Sequence, residues 1–137
     1  MPDRREVLLA GASLALMVRG VAAAAEKASG VTFAGALGRC VETGNVCLEH
    51  CLRNLATGDT TLAECSVAVR DMLAVCNAVA VLAAAQSKFL KSGARLCIEV
   101  CESCEKACRA HQDHHAECKA CAEACAATLA EARRIVG

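Results

Sequence analysis

The sequence predicts an all-α protein, an up-down-up-down four-helix bundle whose core is lined by cysteine. Cysteines recur along the chain at steps of four and three residues, and these steps return to one face of an α-helix. No stretch alternates apolar and polar residues as a half-buried strand does, and no proline follows Pro2. Short polar turns divide the chain after residue 32 into four segments of roughly 23 residues, or about 35 Å of helix each. Antiparallel helices joined by short turns form such a bundle.

Residues 1–25 are expected to form a removable export signal, leaving residues 26–137 as the bundle domain. Arg4 and Arg5 precede an apolar run at residues 7–18, and small residues at 21–25 offer A-x-A cleavage sites. The run is too short to span a membrane, so no stable membrane insertion is expected. Paired arginines resemble the twin-arginine signal, which exports folded proteins. We expect a periplasmic protein, with a general secretory signal or a cytoplasmic location as alternatives.

Helices 1 and 2 are bounded by turn residues. Helix 1 is expected from Phe33 to Ala56, because Gly58 follows and glycine commonly ends helices. Helix 2 is expected to start at Thr61, which has a glutamate three residues later as in a capping box, and to run to Gln86.

Helices 3 and 4 are bounded in the same way. Ser87 is expected to cap helix 3, which runs to about His111. Asp113 is expected to cap helix 4, which ends near Val136. The turn between them places the end of helix 3 beside the turn between helices 1 and 2.

Each helix carries one inward stripe at the four-three-four step. The stripes are Cys40, Gly44, Cys47 and Cys51 on helix 1; Cys65, Val69, Met72 and Cys76 on helix 2; Cys97, Cys101, Cys104 and Cys108 on helix 3; and His114, Cys118, Cys121 and Cys125 on helix 4.

Counting residues from the turns predicts layers of sulfur along the bundle axis. From the end at which helices 1 and 2 are joined, the layers are Cys51, Cys65, Cys108 and Cys118; then Cys47, Cys104 and Cys121; then Cys101, Cys125 and Met72; then Cys40, Cys76 and Cys97. Apolar residues are expected to close the far end: Val79, Leu82, Phe89, Leu90, Leu129 and Ile135. The tube is therefore expected to be open at one end only.

A core of thiols indicates a site for soft metal ions. The chain has 12 cysteines but only two phenylalanines and no tyrosine or tryptophan, so its own side chains fill the core poorly. Cu(I) is satisfied by two or three thiolates, and a thiolate can bridge neighbouring ions. A Cu(I) ion that replaces one thiol proton adds no net charge to the buried core. The sequence therefore predicts high-capacity Cu(I) binding and storage, with several ions per chain.

Two further kinds of ligand are candidates. His111 and His114 continue the stripes of helices 3 and 4 toward the open end, where an imidazole can bind an incoming ion. His50 and His115 fall about a quarter turn off the stripes and are interpreted as solvated residues. Met72 is either a core filler or a thioether ligand.

Other functions fit the pattern less well. A disulfide framework in an exported protein is the main alternative, although cysteines four residues apart on one helix are badly placed for a disulfide bond. Zinc and iron–sulfur sites usually draw their cysteines from loops. The two C-x-x-C pairs lie mid-helix, without the context that activates a redox thiol, so no enzyme is expected. The formal net charge is 0, which gives no electrostatic reason to expect a nucleic-acid partner.

These motifs together resemble the four-helix-bundle copper storage proteins of bacteria. The resemblance covers residues 33–136 and rests on C-x-x-x-C pairs and on an H-x-x-H-H stretch at residues 111–115, which precedes C-x-x-C-x-x-x-C. The C-x-x-x-C pairs are Cys47/Cys51, Cys97/Cys101, Cys104/Cys108 and Cys121/Cys125. The resemblance implies a homotetramer in which each bundle stores many Cu(I) ions. It also implies that exported members hold copper for copper-dependent enzymes, and the sequence does not identify the acceptor or chaperone that receives it. Protection against copper toxicity is the alternative role. Gly44 and Val69 depart from the pattern, because each stands where a ligand is expected.

Overall fold

A computed structural model of the protein describes residues 32–137, and the predicted export signal lies outside them. Within this range the chain forms four α-helices and no strand: α1 at residues 32–56, α2 at Ala63–Ala84, α3 at Leu90–Arg109 and α4 at Ala116–Val136. The all-α, four-helix prediction is confirmed.

The four helices enclose one core. α2 packs on α3, and α3 packs on α4. α1 closes the bundle against α4, where the buried Oγ1 of Thr128 lies 3.2 Å from the carbonyl oxygen of Ala36. It closes against α2 where the Cys40 Sγ lies 3.5 Å from the Met72 Sδ. The space between the helices is therefore bounded on all four sides.

α1 ends as the sequence predicts. Gly58 has a φ of 87°, a left-handed conformation that glycine adopts without a Cβ penalty. Its N–H donates to the carbonyl of Leu55 at 3.0 Å, and the Asp59 N–H donates to the carbonyl of Asn54 at 3.1 Å. This pair of bonds is the Schellman motif, which satisfies carbonyls that a helix end leaves unpaired.

α2 ends in the same motif with a different residue. Gln86 has a φ of 50°, and its N–H donates to the carbonyl of Ala83 at 3.2 Å. The Ser87 N–H donates to the carbonyl of Leu82 at 3.0 Å. A residue with a Cβ thus occupies a backbone conformation that favours glycine.

The predicted N-terminal caps are wrong. The structure places Leu62, Phe89 and His115 at the capping positions of α2, α3 and α4, where the sequence predicts Thr61, Ser87 and Asp113, and none of the three observed residues makes a side-chain cap. Two polar residues stabilise the preceding turns instead. The Oγ of Ser87 accepts from the N–H of Phe89 at 3.2 Å, and the Oδ1 of Asp59 accepts from the N–H of Thr61 at 2.9 Å. Each helix then starts one or two residues later than expected.

α2 is apolar on much of its outer face as well as on its inner one, although Arg70 and Asp71 form an exposed ion pair in its first half. Its inner face is buried, whereas Val67 and Val81 on the outside are 49% and 68% exposed. By length and composition α2 is the one helix of residues 32–137 able to cross a membrane, with a mean hydropathy of 1.8 in its most apolar stretch. In the bundle its inner face belongs to the core, so only the outer face is left to contact another surface.

Candidate metal centre

All twelve cysteines lie in the interior of the bundle. Each has 0% of its surface exposed, and each is a free thiol. The four-three-four spacing explains this result, because it keeps every thiol of a helix on the face that the packing buries. Neighbouring sulfurs approach as closely as 3.3 Å, between Cys65 and Cys108.

Four thiols meet at the end of the bundle where the α1–α2 and α3–α4 turns lie, which we call the mouth. The sulfurs of Cys47, Cys51, Cys65 and Cys118 all lie within 4.8 Å of one another. The sequence correctly places three of them in this ring but predicts Cys108 in place of Cys47. Cys47 and Cys51 lie one turn apart on the same face of α1, so both can reach one group. Counting residues from the turns does not give the relative heights of the four helices.

Four further groups, each of three thiols, lie deeper in the bundle. Each group has its sulfurs within 4.8 Å: Cys47, Cys108 and Cys121; Cys104, Cys121 and Cys125; Cys40, Cys101 and Cys125; and Cys76, Cys97 and Cys101. Consecutive groups share a cysteine, first Cys47, then Cys121, Cys125 and Cys101. The five groups therefore form one unbroken series that contains all twelve cysteines.

Cys40 lies one step nearer the mouth than its predicted layer. Its sulfur is 3.7 Å from that of Cys125 and 3.5 Å from that of Met72. The sequence places it instead with Cys76 and Cys97, which pair with each other at 3.7 Å. The deepest group takes its third thiol from Cys101, 3.6 Å from Cys76.

Burial keeps two of the four mouth thiols protonated in the empty protein. Removal from water raises the pKa of Cys51 to about 12, and it raises the pKa of Cys118 to about 12 as well. The Cys108 thiol acts in the opposite direction, because its hydrogen bond to Cys65 lowers the pKa of Cys65. Cys65 is therefore the mouth thiol that most readily supplies a thiolate to an incoming ion.

The histidines at the mouth are arranged differently from the prediction. His50 and His115, interpreted from the sequence as solvated, are hydrogen-bonded to each other, Nε2 to Nδ1, at 2.8 Å. His111 lies against His115 with the ring centroids 6.2 Å apart, and the Nε2 of His50 is 3.6 Å from a carboxylate oxygen of Glu117. His114 is exposed on the turn before α4. Three of the four histidines thus form a cluster, and His114 stands outside it.

Hydrocarbon side chains close the far end of the core. Val79 and Leu129 are buried there, as predicted, whereas Phe89 is 59% exposed and does not belong to the plug. Leu82, Leu90 and Ile135 are only partly buried. Phe33 and Leu37 of α1 take the central places, both fully buried. Leu37 lies three residues before Cys40, and Phe33 lies four residues before Leu37. Both therefore continue the helix 1 stripe, and the helical spacing alone is enough to predict their burial.

Leu62 covers the mouth end and was not predicted. It is 0% exposed and lies one turn before Cys65 on the same buried face of α2. Because the mouth thiols are also fully buried, an ion reaches them only when side chains at this end move.

Comparisons with known proteins agree with this architecture. A family model described as "Csp: Copper storage protein" matches residues 26–137. Among solved structures, one described as "Copper loading to a cytosolic copper storage protein from Streptomyces lividans (five coppers)" superposes with a TM-score of 0.75. It is 21% identical and covers 82% of this chain and 96% of its own. At that identity the similarity concerns the fold alone. No curated protein matches the chain.

Proposed function

Because the chain belongs to the copper storage protein family, we propose that it stores copper as many Cu(I) ions bound to thiolates along the bundle core. The observation that carries this proposal is the unbroken series of five thiol groups with four shared cysteines. A shared thiolate can bridge two ions, and Cu(I) accepts the two or three sulfur ligands that each group offers. All twelve cysteines are therefore proposed as ligands.

The charge balance of the core favours this use. Each Cu(I) that replaces one thiol proton leaves the net charge unchanged, so roughly one ion per cysteine can be stored without a large desolvation penalty. The empty thiols are small and weakly polar, so the same core is buried without metal. Filling and emptying then require no change of fold.

The histidine cluster at the mouth is proposed as the route of uptake. His111 was expected to face incoming ions, and its contact with the pair of His50 and His115 gives it a place in a group of imidazoles. His114, the other predicted ligand, is exposed on the turn, where it can meet an ion only outside the bundle. Imidazole binds copper but holds it less tightly than thiolates do, which suits a transient stop.

The outer face of α2 supports assembly into a homotetramer. Ala74, Ala78 and Val81 follow one another at helical spacing on this face, and no charged residue occurs between Asp71 and Lys88. A second copy of the chain that covers this face removes exposed valine from water.

Replacing Val81 by Glu is expected to convert the assembly to smaller species in sedimentation velocity. Sedimentation of the unmodified protein as a monomer contradicts the proposal.

Export through a twin-arginine signal is proposed from residues 1–25 alone. Outside the cytoplasm, the proposed role is delivery of copper to an unidentified acceptor, with protection against copper toxicity as the alternative. Changing Arg4 and Arg5 to Lys is expected to retain the protein in the cytoplasm of the producing cell. Equal export of the variant points to the general secretory route. Cytoplasmic retention of the unmodified protein rejects export.

Anaerobic titration with Cu(I), followed by native mass spectrometry, tests storage directly. We expect saturation at roughly ten to twelve ions per reduced chain, because bridging thiolates support about one ion each. Exchanging Cys76 and Cys97 for Ser removes two ligands of the deepest group and should lower capacity. Saturation at one or two ions, or equal binding of Zn(II), contradicts the proposal.

A further inference from the structure

One position in the sulfur core is filled by a thioether. Met72 occupies the α2 stripe between Val69 and Cys76 and is 0% exposed. The thiol of Cys40 donates a hydrogen bond to its Sδ at 3.5 Å, and the sulfur of Cys40 lies 3.7 Å from that of Cys125. Three sulfur atoms from α1, α2 and α4 therefore converge in the middle of the core.

The space for this thioether is created by a glycine on the facing helix. A Cβ on Gly44 would lie 2.6 Å from the Cε of Met72 and 2.9 Å from the Cδ2 of Leu73. By contrast, a Cβ on Gly35 or Gly38 of the same helix meets nothing within 4 Å. The stripe position of α1 that lacks a side chain is thus the one that the methionine fills.

We propose that Met72 is a copper ligand, forming with Cys40 and Cys125 a mixed thiolate–thioether Cu(I) site, and that Gly44 is the residue that positions it. The proposal rests on the proposed storage function and specifies one of its sites. Cu(I) is soft, and both thiolate and thioether sulfur suit it. The hydrogen bond from Cys40 shows that a lone pair of the Met72 sulfur already points toward the neighbouring thiol in the empty protein.

The charge balance gives a reason for a thioether at this depth. When Cu(I) binds, Cys40 and Cys125 each release one proton, and Met72 donates a lone pair without releasing any. One positive ion replaces two protons, which leaves a net charge of −1 before any sharing of thiolates. Three thiolates around one ion leave −2, which costs more in a buried, low-dielectric site. Sharing Cys125 with the next group removes part of the remaining charge.

Selenium labelling tests whether copper bonds to this residue. The chain has three methionines, Met1, Met17 and Met72, so growth on selenomethionine places selenium at three positions of the full-length protein. We expect selenium K-edge absorption of the fully copper-loaded protein to show copper at bonding distance from one selenium in three. The same signal should be absent from the Met72→Leu variant, whose other two selenium atoms serve as an internal control.

A pair of glycine variants then tests the positioning role. Gly44→Ala is expected to fold, because the displaced atoms are the ends of flexible side chains, and to lose the copper–selenium signal. Gly38→Ala makes the same chemical change on the same helix where nothing is displaced, and it should keep the signal. Retention of the signal in Gly44→Ala overturns the role of Gly44.

The outcomes separate this proposal from the storage proposal. If the labelled protein binds its full complement of copper and no copper–selenium distance appears, Met72 is a packing residue only and the mixed site is rejected. If the unmodified protein binds no more than one or two ions, storage itself fails. The Met72→Leu variant adds a second measurement, since its capacity should fall by about one ion per chain.

Discussion

Each cysteine in this core serves two chemical purposes. Protonated, it is a small, weakly polar side chain that can be buried without a strong hydrogen-bond partner. Deprotonated, it is a soft ligand for Cu(I). Contacts between thiols such as Cys76 and Cys101, 3.6 Å apart, are therefore acceptable packing in the empty protein and suitable ligand spacing in the loaded one. A carboxylate or an imidazole in these positions lacks the first property.

The histidine cluster leads to a prediction about uptake rate. Replacing His111 and His115 together with Ala should slow Cu(I) uptake, and removal by a competing chelator, on the order of tenfold, the low end of what the loss of supporting groups costs at metal sites. Capacity should change little, because the thiols remain. Stopped-flow absorbance in the near ultraviolet measures both rates.

The matched control is His114→Ala, since His114 lies beside the cluster but outside it. Its uptake should resemble that of the unmodified protein. An equal slowing in the control and the double variant shows that the cluster has no special part in uptake.

At the scale of helices, the two Schellman motifs differ in one residue, and this difference predicts a stability change. Gln86 and Gly58 occupy equivalent positions with positive φ, at 50° and 87°. Gln86→Gly should stabilise the empty protein by about 0.5–1 kcal/mol, because glycine adopts this conformation without steric cost. Urea unfolding followed by circular dichroism measures the change.

The reverse substitution provides the comparison. Gly58→Ala forces a Cβ into the same conformation and should destabilise the empty protein by about 1 kcal/mol. If Gln86→Gly instead lowers stability, the side chain of Gln86 makes a contribution that exceeds its backbone strain.

The sequence predicts the helices and their inward faces well, and their ends and relative heights less well. Every stripe cysteine is buried because helical periodicity depends only on local geometry. The starts of α2 and α3 were misplaced because Asp59 and Ser87 bond to the backbone two residues ahead, which competes with capping. Whether α1 through Cys47 or α3 through Cys108 supplies the fourth thiol of the mouth ring depends on the relative heights at which the helices pack. Residue spacing within one helix does not encode these heights.

At the scale of the whole molecule, the buried thiols predict how the stability of the empty protein depends on pH. The pKa of Cys51 and that of Cys118 rise from 9.0 to about 12 in the folded state. Above pH 9 the unfolded chain loses these protons while the folded chain keeps them, so the stabilisation present below pH 9 declines as pH rises toward 12. The thermal midpoint of the reduced, empty protein should therefore fall between about pH 9 and pH 12.

Copper loading should remove this dependence, because a metal-bound thiolate has no proton to lose. Anaerobic thermal unfolding of both forms, followed by circular dichroism, makes the comparison. A variant with Cys51 and Cys118 changed to Ala should show a weaker fall when empty. Equal slopes for the empty and loaded forms contradict the assignment of the effect to these thiols.

The series of thiol groups is closed at one end by Phe33, Leu37 and Leu129. The position of an ion along the core should therefore record the order in which it was bound. Ions that share a single axis cannot pass one another, so the first to arrive occupy the deepest groups and the last to arrive leave first. Loading half the capacity with one stable copper isotope and the rest with another makes this history readable by mass. A chelator that removes a few ions should then release mainly the second isotope, whereas free mixing within the core releases both equally.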